Sequence, residues 1–202
     1  MMMGGRGEIA FGGDRASIRL QVPDAERFSV RVLNSVSEVL CIGYKYRFLE
    51  QRLRVCLPRR ERKFLAAALI AADLEGDTAF VRNRICSLTP CAVDGVYAFR
   101  LSELREKWEK IVAYIPSWFC VADLKHFCEF LAGESSHKIY LKDNAVYGED
   151  FLPLRRSRLT GKEDVETEIV LSDAGYIYCL GEVAQSTGDF LQKYYAERAI
   201  FS

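Results

Sequence analysis

PRRERKFLAAALIAADLEGDTAFVRNRICSLTP, residues 58 to 90, is the stretch whose reading decides the fold class. Pro58 suits a first helical position. Phe64, Leu65, Leu69, Ile70 and Leu74 fall on one side at helical spacing, and Gly76 stands just past the expected end. Asp77 can then cap a second helix that carries Phe80, Val81, Ile85 and Leu88 and stops before Pro90. Two helices in direct succession argue against a doubly wound α/β sheet and for an α+β chain of short strands and hairpins packed with about five to six helices.

Upstream, Ser17 to Val22 alternates like a strand, and Asp24 to Leu40 has the spacing of an amphipathic helix. From Cys41 to Leu57 the period returns to two, with Tyr44, Tyr46 and Phe48 before Glu50-Gln51 and Leu53, Val55 and Leu57 after it, which reads as a hairpin. The turn lacks Gly or Asn, so a bent strand or a helix is the alternative. Downstream, Leu101, Leu104, Trp108, Ile111, Val112 and Ile115 define a helix that Pro116 stops. Asp123 caps another, carrying Leu124, Phe127, Cys128 and Leu131 as far as Gly133.

Lys138 to Leu141 and Ala145 to Tyr147 flank Asp143-Asn144, a dipeptide suited to a tight turn. Thr167 to Leu171 and Tyr176 to Leu180 are strand candidates, Gly188 to Ile200 is a last helix, and Arg155 to Glu166 is expected as an exposed mobile loop. Residues 1 to 14, with five glycines, read as a disordered leader. Residues 15 to 202 read as one α+β domain, with a candidate distinct part from about residue 155.

The 28 basic and 28 acidic residues cancel, so no global field draws the chain to nucleic acid or to an anionic membrane. Seven cysteines, without a CxxC pair, fit a reducing cytoplasm better than a disulfide framework. The longest apolar run, Phe64 to Ala72, is too short to span a bilayer, so no membrane partner is expected.

Catalytic motifs are sought and not found. His126 and Cys128 are two apart, which on a helix turns them to different faces and leaves no zinc set with Cys120 and His137. Neither histidine lies near a GxSxG elbow or a known cysteine-nucleophile signature, and no GxGxxG or GxxxxGK[ST] cradle occurs. Glu103 and Glu106 read as a solvated helix face. No catalytic residue, cofactor or metal is therefore assigned.

One segment departs from the average. Tyr44 to Lys63 holds Lys45, Arg47, Arg52, Arg54, Arg59, Arg60, Arg62 and Lys63 against Glu50 and Glu61, a local excess of six charges. Cations interleaved with aromatic rings are what a nucleic-acid groove uses; a half-exposed hairpin with an aromatic core face gives the same pattern. Arg155, Arg156, Arg158 and Lys162 form a weaker second cluster.

Residues 94 to 141, DGVYAFRLSELREKWEKIVAYIPSWFCVADLKHFCEFLAGESSHKIYL, combine Phe99-Arg100-Leu101 leading into a charged helix, a second helix ending in Phe-x-x-Phe-Leu, and a strand. This order resembles the YtxC-like family of sporulation proteins from spore-forming Firmicutes. The resemblance implies a cytoplasmic role connected with sporulation and carries over no catalytic residue; the region from Arg155 onward does not correspond.

The expected function is that of a non-enzymatic interaction protein with an unknown protein partner and unknown oligomeric state. Nucleic-acid binding by the segment 44 to 63 is the first alternative, and an enzyme with a site near His126 and His137 the second.

Overall fold

The side chains from Phe64 to Ala71 are all buried in the computed structural model, which describes residues 8–12, 15–19, 25–85 and 92–202, with side chains from residue 30 onward. They belong to helix α3 (Arg59–Ala71), for which Pro58 supplies the start. The sequence suggested one apolar side. From Phe64 onward the helix is instead enclosed all round, because Ala66, Ala67, Ala68 and Ala71 let neighbours approach where larger residues would hold them off, while Arg59, Arg60 and Arg62 in its first turns stay exposed. Fully burying one large apolar side chain stabilises by about 1.5–3 kcal/mol, so this helix is the centre of the core.

Around it the chain is ordered as follows. A hairpin of β1 (Glu8–Gly12) and β2 (Arg15–Arg19) precedes α1 (Ala25–Glu38). The first of these strands lies within the stretch expected as a leader; residues 1–7 lie outside the described residues. A π-helical turn, Val39–Tyr44, joins α1 directly to α2 (Lys45–Arg52), and Leu53 to Pro58 is extended.

The hairpin expected between Cys41 and Leu57 is therefore corrected to a helix followed by an extended segment. Tyr44 and Phe48 are four apart, which suits a helix as well as a strand, and Glu50-Gln51 carries nothing that turns a chain. The alternation is real only after it, where Leu53, Val55 and Leu57 are buried and Arg54 and Cys56 exposed.

Helix α4 (Leu74–Ile85) starts earlier than expected, so Gly76 lies inside it and Asp77 is not its cap. After α5 (Val93–Arg100), which sequence reading missed, come α6 (Ser102–Tyr114) and α7 (Val121–Glu134). Cys120 is the N-cap of α7, and Asp123, expected as the cap, is its capping-box partner, with Oδ2 accepting the Cys120 N–H at 2.8 Å.

The C-terminal part builds a mixed sheet. Strands β3 (Lys138–Lys142) and β4 (Ala145–Tyr147) form the expected hairpin, with Asp143 and Asn144 both at positive φ, 51° and 57°. Thr167 to Leu171 is not a strand: it belongs to helix α8 (Val165–Leu171), packed on the alanine-rich α3. Strand β5 (Tyr176–Cys179) follows, then α9 (Gln185–Tyr194) and β6 (Ala199–Phe201), so the last expected helix ends early and gives way to a strand.

The sheet order is β4-β3-β5-β6, with β3, β5 and β6 parallel. The loop expected to be mobile is anchored. Arg156–Thr160 forms a 3-10 turn, and the buried Glu168 carboxylate accepts the backbone N–H groups of Arg156 and Ser157 at 2.9 and 2.7 Å. The α+β class stands.

Candidate interaction surface

Two parallel crossovers position the surface. From β3 through α8 to β5, and from β5 through α9 to β6, the chain steps in one direction across the sheet. Parallel crossovers are almost always right-handed, so stepping one way puts both helices on one face. Accordingly, α8 and α9 touch each other, and Ile139, Leu141, Val146, Ile177 and Cys179 are buried beneath the helical layer.

The opposite face receives the alternate residues. Parallel strands are normally covered on both faces, yet here Lys138 and Lys142 are exposed and Tyr140 is part-exposed. The row runs across the strands: Tyr147 is the register partner of Tyr140, Tyr140 of Tyr178, and Tyr178 of Ile200. Ile200 is 43% exposed, and Tyr176 lies beside the row with the Arg198 guanidinium 5.5 Å from its ring centre.

The rings are ordered against one another. Tyr140 and Tyr178 stack with centroids 5.5 Å apart and planes at 25°, and Phe151 stacks on the other side of Tyr140 at 4.4 Å. At that separation the rings cannot lie flat on the sheet, so they stand upright and turn their edges and phenol hydroxyls outward. Phe151, at φ 56°, is the bulky residue held in the left-handed region, and its turn closes one edge of the sheet: Leu154 N–H donates to Val146 O at 2.8 Å.

The basic segment is distributed differently from its appearance in sequence. Lys45 is sealed in the core, its Nζ 2.7 Å from Asp77 Oδ2, which also accepts Trp108 Nε1–H at 2.8 Å. Lys107 Nζ reaches Asp77 Oδ1 at 2.9 Å. Burial pushes the Asp77 carboxyl up, but these partners outweigh it and hold it below the usual carboxylate range.

Arg60 grips Glu166 through two nitrogens, Lys63 pairs with Asp164 at 3.0 Å, and Arg52 lies 3.7 Å from Glu109 and over Phe48. Arg62 donates to Leu57 O, Arg47 lies over Tyr44, and Arg54 and Arg59 are exposed. Tyr46 and Phe48 are buried and the Tyr44 hydroxyl donates to Asp94, so these rings offer no open stacking platform.

The two histidines are not brought together. His126 is exposed on α7, 3.3 Å from Glu129. His137 lines a groove of about 830 Å³ between the α3–α4 junction and the start of β3, with Glu75, Arg156 and Asp173. Burial pushes the Asp173 carboxyl up, His137 draws it down, Glu75 pushes it up, and the net shift is upward. The hydroxyls of Ser135 and Ser172 in this groove donate to the backbone carbonyls of Asp173 and Ile169, which leaves neither poised against a base.

The five described cysteines are free thiols; Cys41, Cys128 and Cys179 are buried, and burial pushes the first two up to about 12. Among the described residues no group of three potential ligands could hold a metal ion, and no helix is long and apolar enough to cross a membrane.

Sequence reasoning missed the tyrosine face. Its signal was present in KIYLK (138–142) and YIYC (176–179), where apolar residues alternate with tyrosines and lysines. No protein-family model, curated protein or solved structure matches the chain.

Proposed function

We propose that the protein acts as a non-enzymatic binding module that docks a protein partner on the outer face of its mixed sheet. One observation supports this reading above the others: three parallel strands with one face under helices and the other lined by stacked, part-exposed tyrosines. Such a face is amphipathic, rigid and low in conformational entropy, which favours recognition. A link to sporulation rests on the resemblance of residues 94 to 141.

The test is affinity capture from the native cell at low and high salt with nuclease-treated controls. Wild type is compared with Tyr140→Ser/Tyr178→Ser on the outer face and with His137→Ala in the groove. The expected result is a nuclease-resistant partner lost by the face variant and kept by the groove variant. A partner retained by the face variant would overturn the proposal.

A further inference from the structure

We infer that the partner segment taken by this face is acidic. The inference rests on the docking reading above and adds the chemistry of the partner. At outward-facing positions within the four strands the charged residues are Lys138 and Lys142, both cationic, and Arg198 immediately before β6 sits over Tyr176. None of the three has a carboxylate within ion-pair distance among the described residues. Some surface cations elsewhere are paired, Arg84 with Glu103, Arg158 with Glu163 and Lys193 with Glu61, and others such as Arg54, Arg59 and Lys110 are not; what sets this face apart is that its unpaired cations flank a row of tyrosines. Glu149, just past β4, uses Oε1 to accept the backbone N–H of Lys138 and marks the rim.

The tyrosines add to the same chemistry. The hydroxyls of Tyr140, Tyr147, Tyr176 and Tyr178 make no hydrogen bond within the described protein and are free to donate, and beside them Lys138, Lys142 and Arg198, which only donate, tip the face toward donors. Carboxylates are acceptors only, and satisfy ammonium, guanidinium and phenol donors together. Lys138 and Lys142 flank Tyr140 on one strand at alternate positions, roughly 6.6 Å between successive outward residues, which is the repeat of an extended peptide with acids at every second residue.

Two other occupants fit less well. A second copy would bring lysines against lysines. Single-stranded nucleic acid needs open ring faces, and here Tyr140 is stacked on both sides.

Fluorescence anisotropy with a labelled oligoglutamate, an oligolysine and an oligothymidylate at low salt tests the inference on the full chain. Oligoglutamate should bind and be displaced by salt, and Lys138→Glu/Lys142→Glu should weaken it about tenfold or more. Tyr140→Phe/Tyr178→Phe, which keeps the stack and removes two donors, should weaken it severalfold. Arg54→Glu/Arg59→Glu should leave it unchanged, which separates this face from the basic segment.

Absent oligoglutamate binding, insensitivity to the lysine reversal, or tighter oligothymidylate binding with the same lysine dependence would each overturn the inference. A cellular partner lost by the serine variant but indifferent to the lysine reversal would leave the docking face standing and reject only the acidic partner.

Discussion

Lys45 Nζ and Asp77 Oδ2 stand 2.7 Å apart with both side chains sealed from solvent, joining α2 to α4 in the middle of an otherwise apolar core. The two ends are not equivalent. Asp77 has Lys107 and Trp108 as further partners, whereas Asp77 is the carboxylate that Lys45 has.

Asp77→Ala is therefore expected to destabilise by about 3–5 kcal/mol, since it strands a buried ammonium, and Lys45→Met by clearly less. Urea midpoints of the two variants check the order, and equal losses would contradict it.

Acid should weaken the fold through the same group. The folded-state Asp77 pKa is below its ordinary value, so its contribution is present above about pH 4 and is lost as pH falls through the depressed folded value. A pH series of urea melts should show a shallower acid limb in Asp77→Asn than in wild type.

Gly175 lies between Asp173, at φ 50°, and β5, and a Cβ there would fall 2.0 Å from Ser135 O. Gly175→Ala should cost about 2–4 kcal/mol, because backbone must move on one side or the other. Gly95 and Gly188 lie in helices with open space at the Cβ position, so alanine at either should stabilise by roughly 0.5–1 kcal/mol. Thermal melts of the three variants read both signs.

Glu168 holds the 3-10 turn by its two backbone acceptors. Glu168→Ala leaves two N–H groups, one of them buried, without partners and should cost about 2–3 kcal/mol. Hydrogen exchange at Arg156 and Ser157 should speed up ahead of the rest of the chain.

These sites differ in how far sequence reveals them. The Asp143-Asn144 hairpin and helix α6 were legible because a local rule decides each: left-handed turn residues in one, and an apolar stripe that Pro116 ends in the other. Thr167 to Leu171 was not legible, because its β-branched residues favour a strand in isolation and the alanines of α3, about a hundred residues earlier, supply the surface that makes it a helix. Asp77 and Glu168 find their partners through tertiary contacts, so nothing at their own positions announces them. The outer face needed only the alternation of its tyrosines to be read on three strands at once.

The wide helical turn at Val39–Tyr44 sets the phase of everything after it. Gly43 in this turn lies against the 3-10 segment, where a Cβ would come within 3.2 Å of Leu159 O. Each residue advances an α-helix by about 100°. Six residues at the wider pitch of this turn rotate the chain about as far as five in an α-helix, so the turn takes up one extra residue while Lys45 still faces Asp77; deleting one residue from the regular helix on either side would instead swing the two apart. This turn is thus the point in the α1–α2 rod where chain length and rotation are uncoupled, and where a one-residue deletion is expected to be tolerated better than the same deletion within α1 or α2.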